Sequence, residues 1–203
     1  MIKNIVFDYG NVIVEWNEAK IVSNYSKEEE IQELLKETIF KSKDWLKLDN
    51  GSLNYEEAEK IFKEKLPQSL KETVEIIMSG WWETMEPNHE IHTLINNLKG
   101  NGYKIFLLSN THTTVYEYIK KSEIGKYFDG YLISSIEKLM KPNEEIYYKL
   151  FEKFELVPEE CYFIDDSKTN IEASKKCGMD GHVFNRNEIK SLLDDLKKKD
   201  VKI

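Results

Sequence analysis

The chain has 203 residues, enough for one sizeable core with an insertion or for two small domains. Its 40 % hydrophobic and 12 % aromatic content is that of a globular protein. A formal charge of −8, with Lys197-Lys198-Lys199 as the one basic block, argues against a nucleic-acid binder.

No apolar stretch reaches the ~18–20 residues that a spanning helix needs, so no membrane partner is expected. Cys161 and Cys177 stand outside any Cys-x-x-Cys pair and suit a reducing compartment. Met1-Ile2-Lys3-Asn4 runs straight into the first strand, which leaves no room for a signal peptide. A cytoplasmic protein is the expectation.

In chain order, Ile5-Val6-Phe7 predicts a buried strand that ends in Asp8 and turns on Gly10. Val12-Ile13-Val14 is a second short β-prone run. From Asn17 to about Gly80 strand-like runs vanish and apolar residues recur at helical spacing, as in Ala58, Ile61 and Phe62. Asn54 before Tyr55-Glu56-Glu57 reads as a helix N-cap. Pro87 is placed as the first residue of a helix that stops at Gly100-Asn101-Gly102.

Strands follow at 104–108, 130–133, 161–164 and 182–184. Helices are expected near 113–121, 143–154 and 169–177, with a last one running to about Lys198. Alternating strands and helices predict an α/β fold, a Rossmann-like doubly wound parallel sheet. Residues 1–16 and 87–203 form its core, and 17–86 are an inserted α-helical cap.

The carboxyl ends of parallel strands share one edge, where ligands bind. Asp8, Ser109-Asn110, Lys141 and Asp165-Asp166 are therefore expected to converge. Close carboxylates need a cation between them, and an all-oxygen set suits Mg²⁺. Lysine offers a compact positive charge to phosphate oxygens, serine and amide groups add hydrogen bonds, and an aspartate can attack phosphorus. Together these parts describe Mg²⁺-assisted phosphoryl transfer.

Val6-Phe7-Asp8-Tyr9-Gly10-Asn11-Val12, Leu107-Leu108-Ser109-Asn110-Thr111, Lys141-Pro142 and Phe163-Ile164-Asp165-Asp166-Ser167 resemble, in order and spacing, the four motifs of the haloacid dehalogenase superfamily. The likeness covers about residues 1–16 and 87–190, with the insertion similar to a small C1-type cap. Among subgroups it is nearest to bacterial phosphatases of α-D-glucose 1-phosphate, and it extends to the phosphatase domain of soluble epoxide hydrolases.

The resemblance implies Asp8 as nucleophile and Mg²⁺ ligand, and Asp166 as the second carboxylate ligand. Asp165 would be a ligand or an acceptor behind the metal, and the Gly10 carbonyl a further ligand. Ser109 and Asn110 would bind the phosphoryl group, and Lys141 would neutralise both Asp8 and the phosphate. Most phosphatases of the superfamily carry a general acid two residues after the nucleophile. Gly10 has no side chain to fill that role, and general acid–base help is worth about 10²–10⁴ in rate.

Other residues have plainer readings. His112 is a loop histidine or a substitute for the missing acid. Asn170 could hold a water near the metal. Trp16 or Trp45 either belongs to the core or packs on a sugar ring in the cleft. Asp49-Asn50-Gly51 is a helix-to-helix turn or a specificity element.

The expected activity is hydrolysis of a small phosphorylated metabolite, plausibly a sugar phosphate, by a monomer or homodimer. The rivals are a metal-independent 2-haloacid dehalogenase and a low-turnover phosphate-binding module.

Overall fold

The computed structural model describes residues 1–203. Five parallel strands make the sheet: β1 (Asn4–Phe7), β2 (Lys104–Ser109), β3 (Gly130–Ile133), β4 (Cys161–Asp165) and β5 (Asp180–Val183). Their spatial order is β3-β2-β1-β4-β5. The chain builds outward from β1 through β2 to β3, then resumes on the other side of β1. The topological switch point therefore lies between β1 and β4, where a ligand crevice opens in such sheets.

Side chains alternate across the sheet with the period of two that a strand imposes. Ile5, Phe7, Leu107 and Ile164 enter one apolar cluster, which takes in α6 (His89–Gly100) and α11 (Ile189–Lys198). Val6, Leu108 and Phe163 enter the other, against α9 (Glu144–Phe154) and α10 (Lys168–Lys176). Both faces are covered, so the strands read as nearly continuous apolar runs.

Between β1 and β2 the chain is helical: α1 (Glu18–Ser23), α2 (Glu29–Leu35), α3 (Lys43–Asp49), α4 (Tyr55–Lys65) and α5 (Lys71–Gly80). A π turn, Lys36–Phe40, extends α2. Side-chain caps start several of these helices: Ser42 accepts from the Trp45 N–H at 3.1 Å and Asn54 from that of Glu57 at 2.8 Å. The first apolar cluster runs without a break from Ile39, Trp45 and Trp81 into the sheet residues. The insertion is thus packed onto the core and shares its hydrophobic stabilisation.

Three local expectations change. Val12–Val14 is no strand: Asn11 takes a left-handed φ of 56° and starts a turn, leaving two isolated bridges, one from Gly10 to Val14 and one from Val14 to Pro87. The second bridge makes Pro87 extended rather than helical. Asn88 caps α6 instead, accepting from the Ile91 N–H at 3.4 Å. The two strands of chain entering and leaving the insertion are laced together there, through Glu15 N–H to Glu86 O and Asn88 N–H to Ile13 O, each at 2.8 Å.

The last strand begins two residues earlier than expected, at Asp180. Ser134-Ser135 opens a one-turn helix, α8 (Ser134–Glu137). No helix is long and apolar enough to cross a membrane.

Candidate active site

Strand register brings the predicted carboxylates together. Phe7 pairs with Ile164 across β1 and β4, so the next residues, Asp8 and Asp165, stand level. The Asp8 N–H continues the ladder onto Ile164 O at 2.9 Å. On the other side Phe7 pairs with Leu107, which sets Ser109 just above Asp8 at the end of β2. Oxygens of Asp8, Asp165 and Asp166 lie within 4.8 Å of one another.

Lys141 is the counter-charge. Its side chain is 1 % exposed, and Nζ meets Asp8 Oδ1 at 2.8 Å and Asp165 Oδ2 at 2.7 Å. It also donates to Leu108 O at 3.0 Å, which uses all three ammonium hydrogens. Burial opposes its charge, but the two carboxylates outweigh that and hold its pKa above the ordinary lysine value. Burial pushes the Asp8 carboxyl up to about 7, despite Lys141. Asp166 is also raised, chiefly because its carboxyl is partly withdrawn from water although the residue is otherwise exposed. Three acids with one ammonium leave the cluster short of positive charge. The donor set is all oxygen, so it fits a hard divalent cation.

The three acids are not equivalent. Asp165 is fully buried and its oxygens are engaged: Oδ1 accepts from the Ser167 N–H at 2.8 Å, and Asn170 Nδ2 reaches both oxygens at 3.0 Å. With Oδ2 also on Lys141, both Asp165 oxygens already have partners within the protein. Asp166 is exposed, with Oδ2 taking one hydrogen bond from Asn11 at 3.0 Å. Asn11 in turn accepts from the Trp16 N–H at 3.0 Å, which explains its left-handed backbone.

The side chains of Asn110 and Asn170 have partners within the protein. The Asn110 side chain pairs with the main chain of Lys141 at both ends, Nδ2 to O and N–H to Oδ1, each at 2.9 Å. It fixes the Lys141 loop. Asn170 holds Asp165 through its Nδ2. Neither pairing carries a local sequence signal, because its partner comes from another loop or from another turn of chain.

The cluster opens into a cavity of about 340 Å³ lined by Asp8, Gly10, Ser109, Asn110, Lys141 and Asp166 on the sheet side. Trp16, Phe40, Trp45 and Trp81 line the side of the insertion. Trp16 and Trp81 meet edge to face at 5.1 Å, and Phe40 and Trp45 pack at a tilt with centroids 4.8 Å apart. Both tryptophans expected near the cleft therefore reach it while also packing in the core. Asp49 lines the same cavity.

His112 is no substitute acid. It is 2 % exposed, boxed in by Trp45, Tyr55 and Trp81, and neither ring nitrogen has a hydrogen-bond partner. Burial lowers its pKa from 6.5 to about 3, so it is neutral in the fold. The unfolded chain protonates it at the ordinary value. Its contribution is complete above pH 6.5 and is lost toward pH 3, by about 1.4 kcal/mol per unit. His112→Leu is expected to flatten this part of the acid limb in urea titrations between pH 7 and pH 5. Parallel limbs for the two proteins would refute the assignment.

A sequence model described as haloacid dehalogenase-like hydrolase matches residues 2–178. Among similar proteins, a phosphorylated carbohydrates phosphatase of Thermotoga maritima is 29 % identical over 116 residues, covering 55 % of this chain and 54 % of that protein. The chain thus spans about half the length of that relative. A D-ribitol-5-phosphate phosphatase of Bacteroides thetaiotaomicron is 27 % identical over 89 % of this chain and 90 % of its own. In fold, the chain is similar to an enzyme of the same family from Bacteroides thetaiotaomicron, solved in complex with magnesium and inorganic phosphate. That TM-score is 0.70 at 22 % identity, over 93 % of this chain and 96 % of the other.

Proposed function

We propose that this chain, which belongs to the haloacid dehalogenase-like hydrolase family, is a phosphoric monoester hydrolase, a Mg²⁺-dependent phosphatase of a small phosphorylated sugar or polyol. The observation that carries this reading is the placement of Asp8. It faces the cavity, is held by Lys141 at 2.8 Å, and is grouped with Asp166 at the switch point of the sheet.

Asp8, Asp166 and the Gly10 carbonyl are the groups that would hold Mg²⁺. The bound ion supplies charge neutralisation to the phosphoryl oxygens. Lys141 orients Asp8 and adds its own positive charge. The Ser109 hydroxyl and the Asn110 N–H receive the phosphoryl oxygens. Asp8 attacks phosphorus in line to give an aspartyl-phosphate, which water then hydrolyses.

The cap, residues 17–86, excludes bulk water and selects the substrate. A cavity of about 340 Å³ takes a small metabolite. Its aromatic wall suits the C–H face of a sugar or polyol, and two of the relatives act by name on substrates of that class. α-D-Glucose 1-phosphate is one candidate within it.

The test is steady-state phosphate release from a panel of phosphorylated metabolites, with and without chelator. Metal charge stabilisation is worth several kcal/mol. Chelation is therefore expected to cut turnover by at least about 10²-fold, and added Mg²⁺ to restore it. Undiminished turnover in excess chelator would sink the metal-dependent reading. The adjacent carboxylates Asp165 and Asp166 weigh against a metal-independent 2-haloacid dehalogenase. A low-turnover binding module rests on Gly10 alone.

A further inference from the structure

Hydrolysis of an alkyl phosphate needs a proton for the departing oxygen, and residue 10 is a glycine. In an in-line displacement the leaving oxygen stands on the far side of phosphorus from the nucleophile. With Asp8 on the sheet side of the cavity, that oxygen faces the wall built by the insertion. Two acidic side chains of the insertion line this cavity, Glu18 and Asp49. Glu18 sits near the chain crossover and accepts from Trp16 Nε1 at 3.2 Å.

Asp49 closes α3 and is tied to the catalytic loops. Its carbonyl accepts from the Ser134 hydroxyl. That hydroxyl in turn accepts from the Thr111 N–H at 2.9 Å, two residues past Ser109. The following turn is pressed onto the core: Gly51 has φ +73°, and a Cβ there would meet Ser135 O at 2.1 Å. So the position of Asp49 is fixed relative to the end of β2, although it belongs to a separate helical segment. Resting on the phosphatase reading above, we propose that Asp49 is the general acid of the reaction and occupies, from the insertion, the role that Gly10 leaves vacant.

Burial pushes the Asp49 carboxyl up to about 8, opposed only by the Trp45 side chain, so it keeps its proton at neutral pH. In the first step an Asp8 oxygen bonds to phosphorus and the bond from phosphorus to the leaving oxygen breaks. The Asp49 proton passes to that oxygen, so the alcohol departs neutral. In the second step water attacks phosphorus and gives its proton to the Asp49 carboxylate. The bond from phosphorus to Asp8 breaks, which releases phosphate and restores both side chains.

The experiment compares kcat/KM for an alkyl phosphate and for p-nitrophenyl phosphate in wild type, Asp49→Asn and Glu18→Gln. This parameter covers steps up to departure of the leaving group, and nitrophenolate departs without a proton. Asp49→Asn is expected to lose about 10²–10³-fold on the alkyl phosphate and only a few-fold on the aryl one. A Cβ at Gly10 would meet nothing closer than Trp16 Cβ at 3.5 Å, so Gly10→Asp fits. In that background the Asp49→Asn loss should shrink to a few-fold.

Equal losses on both substrates mark a structural role and overturn the proposal. So does an undiminished alkyl rate, or selective loss in Glu18→Gln instead. A wild type active on both substrates with an unselective variant refutes Asp49 alone. A wild type active on neither overturns the phosphatase reading and this inference with it.

Discussion

Asp8→Asn is expected to lose at least about 10⁴-fold in turnover while folding as well as the parent protein. Removing a nucleophile that works as one unit with its neighbours costs nearly the whole of covalent catalysis. The amide keeps an oxygen that can accept from Lys141, now at 2.8 Å from Asp8 Oδ1. Stability need not suffer, because Asp8 is one of three crowded carboxyls and burial already raises its pKa to about 7. Above that pH the variant is expected to resist urea at least as well as wild type. Turnover within tenfold of wild type would remove Asp8 from the chemistry. A large stability loss would mean that Asp8 is chiefly structural.

Lys141→Met carries the second large effect, on both activity and stability. The ammonium is buried between Asp8 and Asp165 at 2.8 and 2.7 Å, and Asp165 is fully buried. Taking away one partner leaves buried carboxylates without a counter-charge, which costs about 3–5 kcal/mol. The sign of the pH dependence follows. Without Lys141 the Asp8 pKa, already held above its unfolded value by burial, rises further, so the deficit shrinks as pH falls and Asp8 protonates. Adding Asp165→Asn should recover part of the loss at neutral pH. Chemical denaturation of the three proteins at two pH values measures this. A deficit below about 1 kcal/mol, independent of pH, would show that Lys141 is not the keystone of the cluster.

The parts of the site that are legible in the sequence are those set by strand periodicity. Asp8, Ser109 and Asp165-Asp166 each end an apolar run or sit just past one, and parallel topology alone brings such ends to one edge; Lys141 follows in the loop beyond β3 and α8. The helical insertion is equally plain, since its apolar spacing switches to the helical period after Asn17.

What escapes are the pairings between loops. The Asn110 amide on the Lys141 main chain and the link from Asn11 to Asp166 depend on where separate loops end in space. The Asn170 amide on Asp165 depends likewise on how α10 is set against the end of β4. The same holds for Pro87, whose place opposite Val14 makes it extended despite a good helix-start signal. The start of β5 is polar, with Asp180 ahead of Gly181, so an apolar pattern could not mark it. Asp49 looks like a turn residue in sequence. Its exposure to the Asp8 cavity depends on how α3 docks against α8, which no local pattern encodes.

The central claim is that Asp8 attacks phosphorus, and trapping the covalent intermediate tests it most directly. Enzyme mixed with a substrate of the panel and Mg²⁺ is acid-quenched within one turnover and reduced with borohydride, and its peptides are sequenced by mass spectrometry. An aspartyl-phosphate is converted by this treatment, so the account predicts homoserine at position 8 in the substrate-treated enzyme and aspartate there in its absence. Phosphate release with no mark at position 8, or with the mark on another carboxylate, would contradict it.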